Sequence, residues 1–78
     1  MPKLRRLSGR EVVTLLQHIG FVLVRIRGSH HMLNRENCSV IVPVHGNDPL
    51  PIGTLKQIYR DAINCTAEDQ IRPLFYTD

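Results

Sequence analysis

The chain has 78 residues, of which 42% are hydrophobic and 22% are charged. This length allows one domain with a modest core, which excludes a deep substrate cavity and predicts that any active site is shallow. Ten basic residues against seven acidic ones give a formal charge of +3, compatible with a polyanionic partner. Two Phe, two Tyr and no Trp argue against a recognition surface on which many nucleic-acid bases stack.

The two cysteines, Cys38 and Cys65, are 27 residues apart and belong to no CxxC motif. No histidine stands at zinc-finger spacing from them, so a metal site is not expected, and a single disulfide is the alternative to two free thiols. The N-terminus lacks the apolar segment of a secretory signal, and no apolar run reaches membrane-spanning length. We therefore expect a cytoplasmic protein with two reduced thiols, no cofactor and no membrane association.

The first helix is predicted over residues 9–19. Residues 1–7 precede it as a frayed, basic segment. Ser8 and Glu11 match a capping box, and Gly20 is a typical C-terminal stop. Apolar residues recur between them at helical spacing: Val12, Leu15, Leu16 and Ile19.

Three strands are predicted next, over residues 21–27, 29–34 and 39–45, because these segments are apolar or β-branched and separated by short turns. Two tight connections in succession indicate an antiparallel meander. Pro43 cannot donate a hydrogen bond to a neighbouring strand, so the third strand is expected at an edge of the sheet or bulged.

A second helix is predicted over residues 52–63, after a segment rich in turn-forming residues. A short third helix is expected after Thr66, limited by Pro73 and followed by a loosely held tail. The order is α-β-β-β-α, an α+β fold with both main helices on one face of the sheet. We interpret residues 1–78 as a single domain with a core of about 8–63 and a C-terminal extension over 64–78.

Two adjacent histidines, His30 and His31, open the second predicted strand. Successive strand residues point to opposite faces, so these two side chains are not expected to bind one metal ion together. If residues 27–28 form a two-residue loop, Arg25 lies opposite His30. The same loop places Val24 opposite His31. On this pairing, which a three-residue loop would shift, His30 is exposed beside an arginine and His31 is half-packed.

An exposed histidine beside an arginine suits chemistry on RNA. Imidazole titrates near cellular pH, so it can accept the proton of a 2′-hydroxyl or donate one to a leaving oxygen. The guanidinium stabilises the charge that develops on the phosphate. This transesterification needs neither a metal nor a deep pocket. The alternative interpretation of such a histidine is a strand residue with no role in catalysis.

A resemblance to a known family is carried by the helix that precedes three strands and by two segments, "LLQHIGFVLVRIRGSHHML" and "VIVPVHGNDPLPIGTLKQIYRDA". In these features the chain resembles the HicA toxin family. The resemblance covers roughly residues 8–63. It implies a fold like that of double-stranded-RNA-binding domains, and ribosome-independent cleavage of mRNA by a histidine on the second strand. It also implies a HicB-like antitoxin partner that covers the active face and binds operator DNA, so that no direct DNA binding by this chain is expected.

The family's Gly-Ser-His element corresponds to Gly28, Ser29 and His30 in this chain. Some members carry the histidine one residue later, which here is His31, so both remain candidate catalytic residues, with His30 preferred. His45 is interpreted as a contact either to the RNA or to the residues around the catalytic histidine, without a catalytic role of its own. The candidate RNA-binding residues are Arg25, Arg27, Ser29 and Lys56. The alternative function is a non-catalytic RNA-binding module of the same fold.

Overall fold

The predicted α-β-β-β-α order is confirmed in a computed structural model of the chain, which describes residues 1–77. The predicted third helix follows it, and two short strands that were not predicted are present as well. In chain order the elements are β1 (Lys3–Leu4), α1 (Gly9–His18), β2 (Val22–Arg27), β3 (His30–Arg35), β4 (Cys38–Pro43), α2 (Ile52–Ile63), α3 (Glu68–Phe75) and β5 (Tyr76–Thr77). None of the helices in the described residues is long and apolar enough to cross a membrane.

The central feature is an antiparallel sheet in the order β2-β3-β4. Pro43 ends β4, an edge strand, as its missing N–H predicts. One face of the sheet is fully buried under the helices at Leu33, Val40 and Val42. No helix within residues 1–77 covers the opposite face of the sheet, and Ile41 on that face is 48% exposed.

The capping box at the start of α1 is confirmed. The Ser8 hydroxyl accepts a hydrogen bond from the Glu11 backbone N–H at 3.1 Å, and the Glu11 carboxylate accepts one from the Ser8 N–H at 2.9 Å. The hydrogen bond from the Ser8 backbone is the largest of the effects that hold the pKa of Glu11 below its ordinary value. The cap therefore defines where α1 begins. The apolar side of this helix faces the core, where Val12 and Leu16 are fully buried.

Gly9, the first residue of α1, lies against the end of β4. A Cβ atom at this position would overlap the carbonyl oxygen of Pro43 and lie 3.0 Å from the Cα of Val44. The obstacle is backbone rather than a flexible side chain. Only glycine therefore allows α1 to approach the sheet this closely.

A β-bulge at Val24 determines which face of the sheet each β2 residue occupies. Leu23 pairs with Leu33 but Arg25 pairs with Met32, so one extra residue is accommodated between them. In a regular strand Leu23 and Arg25 would share a face. Because of the bulge, Leu23 turns towards the helices and Arg25 towards the open face.

The two ends of the described chain are paired with each other, so the predictions of a frayed N-terminal segment and a loosely held tail were wrong. Strands β1 and β5 form a two-stranded antiparallel sheet. Arg5 donates hydrogen bonds to the carbonyls of Phe75 and Leu74, at 2.7 and 2.9 Å. Leu7, Ile71 and Phe75 are all buried in the core. The sequence did not reveal this because the pairing spans almost the whole chain.

The third helix is confirmed, but Pro73 does not end it. Helix α3 continues for two residues beyond this proline, to Phe75. Burial of Ile71 and Phe75 offsets the loss of the one backbone hydrogen bond that a proline inside a helix removes.

The prediction of two reduced thiols was also wrong, since Cys38 and Cys65 form a disulfide. Cys38 begins β4, and Cys65 follows α2, which packs along that strand. This packing returns the end of α2 to the start of β4 and brings the two Cα atoms to 5.3 Å, a separation that suits a disulfide. The expectation of free thiols rested on the missing secretory signal, which carries no information about this proximity.

Replacing Gly9 with Ala is expected to destabilise the protein by about 1–3 kcal/mol, because either the helix or the end of β4 must shift. Gly53→Ala is the matched control, since a Cβ at Gly53 in α2 meets no atom within 4 Å. That control is expected to be neutral or to stabilise by up to about 1 kcal/mol. Urea unfolding measures both, and equal effects of the two substitutions would contradict the close approach.

Reduction of the disulfide is expected to lower the free energy of unfolding by about 3 kcal/mol, because the bond restricts the unfolded chain. Urea unfolding with and without a reductant measures this difference. A Cys38→Ser, Cys65→Ser double variant provides the control, because its unfolding is expected not to respond to the reductant. An unchanged midpoint for the reduced wild type would contradict the prediction.

Candidate functional site

The β2–β3 hairpin places both candidate histidines at its turn. The turn residues are Gly28 and Ser29, and Gly28 has a φ of +58°, which a glycine at the first central position of a tight hairpin turn adopts without strain. Arg27 is consequently paired with His30, and Ile26 with His31.

The predicted pairing of Arg25 with His30, and of Val24 with His31, was therefore wrong, because the turn lies one residue later than the assumed loop. Moving the turn by one residue changes each pairing by two positions along the partner strand. A two-residue change preserves the alternation of faces. For this reason Arg25 still shares a face with His30, although Met32 is its direct partner.

The open face of the sheet carries a shallow cavity of about 200 Å³ beside the hairpin turn. Its polar lining consists of Arg25, Arg27 and His30, and its apolar lining consists of Met32 and Ile41. Two exposed arginines and one exposed histidine therefore line a single concave surface. This arrangement suits a phosphate group of a polymer that lies across the sheet.

His31 lies on the opposite face of the same strand. It lines a different cavity, of about 280 Å³, together with α1 residues. Its Nδ1 atom is 3.2 Å from the carbonyl oxygen of Ser29. The same carbonyl accepts the backbone N–H of Val44 at 2.7 Å, which attaches the turn to the segment after β4. The two candidate histidines are thus adjacent in sequence and separated by the thickness of the sheet.

The other candidate residues are distributed around this site. Ser29 is half-buried in the turn itself. Lys56 is exposed on α2, in the helical layer on the far side of the sheet from the cavity that contains His30. His45 is exposed in the loop after β4. The structure thus brings Arg25 and Arg27 to His30 but does not bring Lys56 there.

Sequence reasoning missed the two apolar residues of this cavity and the basic residue of the other one. Met32 and Ile41 face the same side as His30, and strand alternation would have identified them once the three strands were paired. Arg10 reaches the cavity of His31 from α1, and only tertiary packing brings these two residues together. Among residues 1–77, no group of three metal-ligating side chains is positioned to hold a metal ion.

An α+β fold with a shallow, basic cavity on its open sheet face defines a small protein suited to a polyanionic polymer. Comparison with family models gives a more specific result. The model described as "HicA toxin of bacterial toxin-antitoxin" matches residues 9–63, and the chain therefore belongs to the HicA toxin family. It is the toxin component of a toxin–antitoxin system, whose partner is a HicB-type antitoxin. No curated protein matches the sequence.

Proposed function

We propose that the protein is a metal-independent and ribosome-independent endoribonuclease that cleaves mRNA in the cytoplasm, with His30 as the residue that transfers protons. The observation that carries the proposal is the convergence of His30, Arg25 and Arg27 on one open cavity. Membership of the HicA toxin family supports it, because cleavage of mRNA is the activity that the resemblance to this family implies.

The proposed reaction is an attack of a ribose 2′-hydroxyl on the adjacent phosphorus. His30 accepts the proton of the 2′-hydroxyl as the new O–P bond forms. The bond from phosphorus to the 5′-oxygen breaks, and this oxygen takes up the proton from the imidazolium, directly or through a relaying water molecule. The products are a 2′,3′-cyclic phosphate and a free 5′-hydroxyl, so the step consumes neither water nor an oxidant.

Arg25 and Arg27 have an electrostatic role in this proposal. Negative charge accumulates on the non-bridging oxygens of the phosphate during the attack, and guanidinium groups stabilise it by charge-assisted hydrogen bonds. Both side chains lie on the face of His30. Ser29 is a proposed hydroxyl contact to the RNA at the turn, whereas a contact from Lys56 would involve RNA outside this cavity.

His30 is preferred over His31 because of its surroundings. His30 is exposed and shares its cavity with two arginines, whereas His31 is half-buried on the helical side of the sheet. Since RNA is a large polymer, an open sheet face gives its backbone access without any opening of the protein.

We also propose that the HicB-type antitoxin covers this open face and binds operator DNA through its own domain. The face combines basic Arg25 and Arg27 with Ile41, an exposed apolar residue. An acidic surface with an apolar centre complements it and would exclude RNA from His30.

A non-catalytic RNA-binding module is the second candidate function. One observation favours it: within residues 1–77, the imidazole of His30 has no hydrogen-bond partner that fixes its orientation. The same arginines would then bind phosphates without subsequent cleavage.

Cleavage of purified RNA distinguishes these candidates. His30→Ala is expected to lower the cleavage rate by about 10²- to 10⁴-fold, as the loss of a general acid–base residue does. His18→Ala is the matched control, since His18 is exposed at the end of α1 and outside both cavities. The wild type should cleave equally well with EDTA and leave cyclic phosphate ends.

Persistent cleavage by His30→Ala would overturn the assignment to this residue, and a His30→Ala, His31→Ala double variant would then test His31. Wild-type protein that binds RNA and leaves it intact would support the binding module instead.

A further inference from the structure

The cavity that contains His31 is a second polar site at the hairpin, on the side opposite His30. Its volume is about 280 Å³, and α1 forms one wall while the hairpin and the segment after β4 form the other. Val13 and Leu23 supply apolar contacts. The polar lining consists of Arg10, Thr14, Gln17 and His31.

The charge in this cavity is positive and available to a ligand. Arg10 is exposed in the first turn of α1. Its acidic neighbour Glu11 is already bound to the Ser8 backbone in the helix cap. Thr14 donates its hydroxyl proton to the Arg10 carbonyl at 3.1 Å, which leaves the oxygen of that hydroxyl as an acceptor. Gln17 offers an amide that both donates and accepts.

The hydrogen bond of His31 determines what its ring offers to a ligand. A carbonyl oxygen only accepts, so the contact of 3.2 Å with Ser29 requires a proton on Nδ1 of His31. In the neutral imidazole the other nitrogen, Nε2, then carries a lone pair. In this neutral form His31 offers a hydrogen-bond acceptor on the wall of a basic cavity.

This combination of groups matches one nucleotide of RNA. Arg10 suits a phosphate, and an acceptor at Nε2 of His31 suits the hydroxyl group that ribose has and deoxyribose lacks. An acidic peptide would also satisfy Arg10, but ionised Asp and Glu side chains only accept hydrogen bonds, whereas RNA carries a hydroxyl donor beside each phosphate. The lining thus favours RNA over a protein ligand.

We propose that the cavity between α1 and the hairpin is a second RNA-binding site. One RNA strand crosses the exposed turn at Gly28, with one phosphate near His30 and another near Arg10. In the second site the ribose 2′-hydroxyl donates its proton to Nε2 of His31, which selects RNA over DNA. This proposal rests on the proposed function for its ligand class, but it concerns binding and not cleavage.

The test is binding of a short single-stranded RNA and of the DNA with the same sequence, measured by fluorescence anisotropy at several salt concentrations. All proteins carry His30→Ala, which removes cleavage under the proposed function, and the RNA is checked for integrity afterwards. Into this background are placed Arg10→Ala, His31→Phe and His31→Gln. Arg60→Ala is the charge-matched control, because Arg60 lies on α2 and its guanidinium is bound to Gln57.

Arg10→Ala is expected to weaken binding of RNA and DNA alike, and to reduce the salt slope by about 0.7, as loss of one phosphate contact to a single strand does. His31→Phe is expected to weaken only RNA binding, by about 5-fold, the equivalent of one hydrogen bond. His31→Gln keeps an acceptor and should restore part of the preference for RNA. Urea unfolding confirms that each variant is folded.

The proposal is overturned if Arg10→Ala binds RNA as the Arg60→Ala control does. It is also overturned if His31→Phe weakens binding of RNA and DNA equally. The two proposals fail separately, since cleavage by the His30→Ala background would refute the catalytic assignment. Loss of the RNA preference on changing His31 would still support the second site in that case, with an RNA analogue that resists cleavage as the probe.

Discussion

The alternation of side chains along the central strand β3 is the constraint on which the rest of the structure depends. Leu33 is fully buried under the helices, and a shift of one residue would expose it and bury a polar neighbour. The register of β3 is therefore strongly determined by the core. Given that register, His31 must share the helical face with Leu33, and His30 must share the open face with Met32. Packing in the core thus decides the environment of each histidine.

The bulge in β2 reconciles two demands that a regular strand could not meet. The core requires Leu23 on the helical side, and the candidate site requires Arg25 and Arg27 on the open side. All three residues have odd numbers, so strict alternation would place them together. One extra residue, Val24, reverses the face that the following residues of β2 occupy. Leu23 can therefore face the core while Arg25 and Arg27 face the site. Val24 is half-exposed at the edge of the sheet, where such an irregularity disturbs few hydrogen bonds.

Local patterns predicted the main helices and the sheet well, because capping, apolar spacing and turn residues act over a few positions. The bounds of α2 agree with the structure, and His30 and Arg25 share a face as predicted despite the shifted turn. The Cys38–Cys65 bond, the buried end of α3 and the approach of Arg10 to His31 were not predicted. Each of these joins segments that are distant in sequence, and no local preference encodes the packing that brings them together.

The pairing of Lys3 with Thr77 has a consequence for how the protein can be handled and rearranged. Any segment attached to either end leaves from the same small sheet, so purification tags or fluorescent fusions emerge side by side. A short linker could also join the two ends into a circular permutant. New ends opened in the exposed loop at Asn47 and Asp48 would leave every helix and strand of the fold intact.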